Sequence, residues 1–195
     1  MKRNHGYSYL WIWPILYFLL GFFNILFAWL GMIDVLLPLI LAVFGGNKGF
    51  CNHLCGRGQL FALLPKKLKC SRGLPAPRWM SSPGFRFGFL AFFLAMFSSI
   101  MYQTWRVFSG ASSLREAVKL LWTFSVPWHW AYSAGTVPDW AAQFSFGFYS
   151  LMLSSALLGL IVMALYRPRT WCCFCPMGTM TQVICRAKAG HDLKS

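Results

Sequence analysis

Cys51-Asn-His-Leu-Cys55-Gly-Arg-Gly58 and Cys172-Cys173-Phe-Cys175-Pro-Met-Gly178 are two copies of one pattern. Each directly follows an apolar segment. Aligning Cys55 with Cys175 also aligns Gly58 with Gly178, Leu60 with Met180, Leu63 with Val183 and Leu64 with Ile184. A thiol pair, a glycine turn and an apolar stripe at helical spacing are therefore written twice. That duplication decides the architecture: two repeats, residues 1–82 and 83–195, each placing apolar helices ahead of a cysteine motif.

The rest of the chain agrees with a membrane protein. Its 195 residues are 57% hydrophobic and 11% charged, with a mean hydropathy of +0.53. A soluble domain carries about a quarter charged residues. Eighteen basic residues against four acidic ones give a formal charge of +14. The apolar runs are too long for a basic nucleic-acid-binding domain, so the charge reads as basic flanks of membrane helices. The N-terminal Met1-Lys2-Arg3 and the apolar stretch after it exceed a signal-peptide core and lack a small-x-small cleavage site, which predicts a retained anchor.

A bilayer-spanning helix needs roughly 20 apolar residues. Tyr9–Leu30 meets that length, and Ile33–Phe44 is a shorter second segment after a loop around Gly31 and Asp34. Ser82-Pro83 reads as an N-cap followed by proline at the first helical position, opening a span to Phe108. Phe146–Tyr166 is the last span, stopped by Pro168, with Ser155 and Gly159 forming a small-xxx-small pair. The expected class is all-α, a polytopic membrane helical bundle of about four transmembrane helices in two parallel repeats. Between Gly45 and Ser82, Leu60, Leu63, Leu64 and Leu68 share a helical face, which suits a helix on the membrane surface or one packed on its neighbours. Ser113-Leu-Arg-Glu116 reads as a capping box and predicts a short helix over Leu114–Phe124. Five of the ten tryptophans lie between Trp105 and Trp140, the composition of an interfacial belt.

Basic residues follow the second and fourth apolar segments, so both termini and both cysteine motifs are expected on the cytoplasmic side of a multi-pass inner (plasma) membrane protein, with Asp34 outside. A reducing compartment disfavours structural disulfides and favours metal binding. Soft thiolates select iron–sulfur clusters, zinc or copper(I). One cysteine pair from each repeat supplies the four thiolates typical of an iron–sulfur cluster: Cys51 and Cys55 from one, Cys175 with Cys172 or Cys173 from the other. Lys48, Arg57, Arg167 and Arg169 would lower the thiol pKa values and offset thiolate charge. Gly58 and Gly178 would let backbone N–H groups reach the sulfurs. His53 reads as a neighbour of the first motif rather than a ligand, and His129 as interfacial. Cys70 and Cys185 read equally well as small apolar residues.

At these motifs the chain resembles the membrane core of the NapH/NosR-type iron–sulfur proteins, over roughly Leu26–Leu64 and Phe146–Ile184. That family carries two Cys-x3-Cys-Pro motifs, each after a transmembrane helix. Cys51 and Cys55 match the first, with Gly56 in place of proline. Cys175-Pro176 matches the second, with Trp171 where the leading cysteine would stand, so Cys172 or Cys173 takes its role. The resemblance implies 4Fe–4S binding and electron transfer with a redox partner protein or quinone, in contact with the lipid bilayer and without nucleic acid. The appended ferredoxin-type cysteine runs of many relatives are not in this sequence. Two other classes compete: a membrane thiol–disulfide oxidoreductase, and a zinc- or copper(I)-binding membrane protein. No carboxylate pair, nucleotide loop or Ser/His/Asp set is evident, so an electron-transfer component is expected rather than a stand-alone enzyme.

Overall fold

Asn24 divides the first apolar run. Its backbone is extended and its side chain accepts a hydrogen bond from Leu26 N at 3.0 Å, capping the turn that follows. Helix α1 (Ile12–Phe23) ends before it. A 3₁₀ turn (Ile25–Leu30) and helix α2 (Gly31–Gly45) begin after it. Tyr17 OH donates to Ala28 O and Trp13 Nε1 donates to Asp34 Oδ1 at 2.9 Å, so the chain doubles back about Asn24. The turn expected at Gly31–Asp34 is thus displaced: Asp34 lies inside α2, within the electrostatic reach of Arg57. A polar side chain that caps a helix start breaks an apolar run more effectively than glycine and aspartate that fit within a turn of helix.

The structure is a computed structural model, which describes residues 9–45, 54–68, 71–120, 124–132 and 137–192. After α2 come α3 (Gly56–Leu68), α4 (Pro83–Phe108), strands β1 (Ala117–Leu120) and β2 (Phe124–Pro127), α5 (Asp139–Leu165) and α6 (Pro176–Asp192). Among the described residues the chain is all-α apart from that hairpin and one isolated bridge. Among the described residues three stretches are long and apolar enough to cross a membrane: Ile25–Gly45, Pro83–Phe108 and Asp139–Leu165. Helix α1, at 12 residues, is a shorter apolar helix beside them. The start of α4 follows its sequence signal, since Ser82 Oγ accepts from Phe85 N at 3.3 Å and Pro83 occupies the first turn.

The helix expected over Leu114–Phe124 does not form. Ala117–Leu120 pairs antiparallel with Phe124–Pro127, Val118 opposite Val126. Val118 is fully buried, and Glu116 faces His129 Nδ1 at 3.8 Å instead of closing a capping box. β-Branched and aromatic residues at alternate positions favour a strand once one face is buried, and Pro127 would break a continuing helix.

The chain forms two compact units. One comprises Ile15–Ile33 and Phe92–Leu158. Its core is the first part of α5, where Ala142, Ser145 and Phe146 are fully buried and Phe148 and Tyr149 nearly so. Tyr149 OH donates to Phe18 O at 3.0 Å, and Trp29 packs on Phe144. The other unit comprises Met1–Pro14, Asp34–Ala91 and Gly159–Ser195. There Phe61 of α3, 2% exposed, lies over Gly159 of α5. A Cβ on Gly159 would come 2.6 Å from its ring. Burying that ring contributes about 1.5–3 kcal/mol, so α3 is anchored by packing on the protein's own helix, through Phe61 rather than through the leucine stripe.

Candidate metal centre

Cys55 directly precedes α3 and Cys175 directly precedes α6. Each cysteine therefore sits where a helix leaves its first N–H groups without intrahelical partners. Gly58 N donates to Cys55 Sγ at 3.4 Å, and the backbone N–H groups of Met177 and Gly178 favour the thiolate of Cys175. The glycine is the third helical residue in both repeats. The sulfur takes the role that a serine or aspartate oxygen plays in an ordinary cap. The positive end of each helix then favours a thiolate.

Gly58 is the point at which the two motifs meet. A Cβ there would lie 3.6 Å from Cys55 Sγ and 3.8 Å from Cys172 Sγ. Both sulfurs are thus within 4 Å of one position and less than about 8 Å apart. Cys55 also acts electrostatically on Cys175. The three thiols Cys55, Cys172 and Cys175 form one group although 120 residues separate the second motif from the first.

Local structure places the second motif. A 3₁₀ turn (Thr170–Cys173) carries Cys172, and Arg169 before it adopts the left-handed conformation at φ 68°. Such a backbone in a non-glycine residue costs on the order of 1 kcal/mol and persists only when the surroundings impose it. Arg169 Nε donates to Gly58 O at 3.4 Å, tying the second motif to the first turn of α3. Trp171 and Phe174, 5% and 3% exposed, pack with Phe85 and Phe89 in an aromatic box. The Trp171–Phe174 and Phe89–Trp171 ring centroids are 5.0 and 5.6 Å apart. Trp171 therefore holds the loop by packing, and Cys172 reaches the sulfur group. The segment after α3 is strapped to the end of α5: Leu74 bridges Tyr166, Arg72 N donates to Ala164 O at 2.9 Å and Arg167 N to Leu74 O at 3.1 Å. Arg167 thus serves here through its backbone.

The electrostatics fit a group that awaits positive charge. Burial pushes the Cys172 thiol up to about 12, the Cys175 and Cys55 sulfurs add to it, and the Arg169 guanidinium opposes them. Burial raises Cys175 to about 11, against the N–H groups of Gly178 and Met177 and the charge of Arg57, with Cys55 again raising it. Thiols such as Cys172 and Cys175 that resist ionising become good ligands once a polycationic core neutralises them.

Of the other sequence candidates, Cys173 is exposed and its sulfur is not among the three atoms nearest the Gly58 position. Cys185 is part-buried on α6, ten residues or about 15 Å of helix beyond Cys175. Cys51, His53, Cys70 and Lys48 lie outside the described residues. Among the described residues no three of His, Cys, Asp and Glu close on a single metal ion. A tetrahedral zinc with Zn–S near 2.3 Å needs sulfurs roughly 4 Å apart. A cluster of several irons seats its thiolates on different atoms and spreads them wider, which suits this trio. The aromatic box and the Arg169 tie have no signature in the sequence, because they depend on contacts between distant segments.

A family model described as a 4Fe–4S binding domain matches residues 27–75 and 149–189. The match contains both cysteine motifs, α2 and the later part of α5, and it supports an iron–sulfur cluster of the 4Fe–4S type as the cofactor. No curated protein and no solved structure matches the chain.

Proposed function

We propose that this chain is an integral membrane iron–sulfur protein of electron transfer, with Cys55, Cys172 and Cys175, together with Cys51, as the cluster ligands. The observation that carries the reading is the approach of Cys55, at the head of α3, and Cys172, on the turn before α6, to one position at Gly58. A 4Fe–4S cluster held there supplies one-electron redox chemistry. The chain's own residues do the rest. Glycine N–H groups donate to the sulfurs, a known influence on cluster potential. Arg57 and Arg169 offset thiolate charge. The Trp171–Phe174 box shields one side from water.

Several features support the membrane setting. Three helices have spanning length, and α4 exposes Phe87, Phe92, Leu94, Met101 and Trp105 as a lipid-facing surface would. The basic flanks support a multi-pass protein of the inner membrane with both cysteine motifs in the cytoplasm, in two repeats divided near residue 82. A redox partner protein or quinone would exchange electrons with it, as the resemblance to NapH/NosR-type proteins implies.

The thiol–disulfide reading is weaker, since thiols raised to about 11 and 12 are poor nucleophiles at neutral pH. The zinc or copper(I) reading is weaker because the trio does not close on one ion. Anaerobic purification tests the proposal: brown protein with iron, acid-labile sulfide and a reduced-state EPR signal is expected. Zinc without sulfide would overturn it.

A further inference from the structure

We propose that a second site, a cleft between α4, the hairpin and α5, binds an oxyanion of the phosphate class, free or as the phosphate of a lipid headgroup. The cleft lies wholly within the unit of Ile15–Ile33 and Phe92–Leu158 and takes no part in the cysteine centre. It is lined by Ser99, Gln103, Arg115, Lys119, Gln143 and Ser150, and its volume is about 40 Å³. A water needs about 10–15 Å³ by this measure. The cleft therefore has room for about three or four oxygen-sized groups.

Its polar groups are arranged as donors. Gln143 is 7% exposed, and its Oε1 accepts from Arg115 N at 2.9 Å. That bond fixes the carboxamide and leaves its NH2 for the cleft. Gln103 Nε2 donates to Ser99 Oγ at 3.4 Å, so the Ser99 O–H remains a donor. Ser150 Oγ donates to Lys119 O and pins β1 against α5. Ser150 is eleven residues beyond Asp139, about 17 Å along the helix. Lys119 is thus held well inside the length of a 27-residue apolar helix.

What the cleft lacks is a counter-charge. The whole chain has four acidic residues. Asp34 and Asp192 belong to the other unit. Glu116 faces His129. Asp139 is exposed at the start of α5 and does not line the cleft. Among the described residues neither Arg115 nor Lys119 has a carboxylate within 4.0 Å. Two cations that line one cleft with no carboxylate beside them favour an anion there. A guanidinium and an ammonium beside amide and hydroxyl donors suit the several oxygens of a phosphate.

The test uses the full chain in detergent, with thermal unfolding followed by tryptophan fluorescence. One arm titrates inorganic phosphate. The other compares added phosphatidylglycerol with a phosphate-free galactolipid. A rise of the unfolding midpoint with phosphate identifies a free ion, and a rise with phosphatidylglycerol alone identifies a headgroup. In either case Arg115→Gln with Lys119→Gln should weaken the response about ten-fold or more, and Arg106→Gln, outside the cleft, should not. If the double variant does not fold, Arg115→Gln alone carries the comparison, because Arg115 is exposed. The proposal is overturned if neither phosphate nor phosphatidylglycerol shifts the wild type, if the variants respond as it does, or if Arg106→Gln loses the response equally. Iron and sulfide content should be unchanged in all variants, so this outcome is independent of the cluster.

Discussion

Replacing Gly58 by alanine separates the fold from the cofactor. Gly58 is the third residue of α3 and is buried. Its added methyl would stand 3.6 Å from Cys55 Sγ and 3.8 Å from Cys172 Sγ, ordinary contact distances. The apoprotein therefore suffers no clash, and alanine gains up to about 1 kcal/mol over glycine in a helix. For a chain of this size that corresponds to a midpoint equal to the wild type or about 2–4 °C higher. The methyl nevertheless occupies the space that two sulfurs share. Forcing a group into a filled site costs about 1–3 kcal/mol, so cluster retention should weaken about five- to 150-fold. The assay is iron and acid-labile sulfide per chain after anaerobic reconstitution, alongside unfolding of the apoprotein. Full iron and sulfide in Gly58→Ala would refute the idea that the sulfurs face a common cofactor across this residue. A destabilised apoprotein would refute the claim that the two effects are separable.

Serine in place of Cys55, Cys172 or Cys175, and of Cys51, should abolish the chromophore, whereas Cys173→Ser and Cys185→Ser should retain most of it, by visible absorption and sulfide content. Apoprotein stability should fall as pH rises. The folded-state thiols of Cys172 and Cys175 are raised to about 12 and 11 from an ordinary 9.0. Folding therefore favours the protonated thiols, and their contribution is complete below pH 9 and lost towards pH 11–12. Denaturant unfolding across that range should show the loss, and Cys172→Ala should diminish it. Gly159→Ala drives a Cβ to 2.6 Å from the Phe61 ring and should destabilise by about 1–3 kcal/mol, while Gly84→Ala, with open space around it, should not. A membrane-impermeant thiol reagent added outside intact cells should leave Cys173 unmodified. Ready labelling there would reverse the orientation.

The duplicated motifs carried much of the candidate centre in the one-dimensional string. Spacing around Cys55 and Cys175 is local information, and a helix N-terminus with glycine at its third position is a local structure, so the capped sulfurs were readable before any fold was known. Ser82-Pro83 marked the start of α4 for the same reason. The hairpin at Ala117–Pro127 was misread as a helix because Ser113 and Glu116 have capping-box spacing, while the burial of Val118 that favours a strand depends on distant residues. The turn at Asn24 was likewise hidden in an apolar run by the more visible Gly31 and Asp34.

By itself the sequence determined the helical class and the start and length of α4, since these follow from hydropathy, periodicity and capping residues along short windows. Only the tertiary structure brought Cys172 beside Cys55 at Gly58, because the turn after Arg169 carries it there. It alone placed Trp171 in an aromatic box with Phe89 and Phe174, and it alone gathered Arg115, Lys119 and Gln143 around one cleft. Contacts between segments far apart in the chain leave no periodic trace in it. They are set by the packing of whole elements, and that packing is a property of the folded molecule.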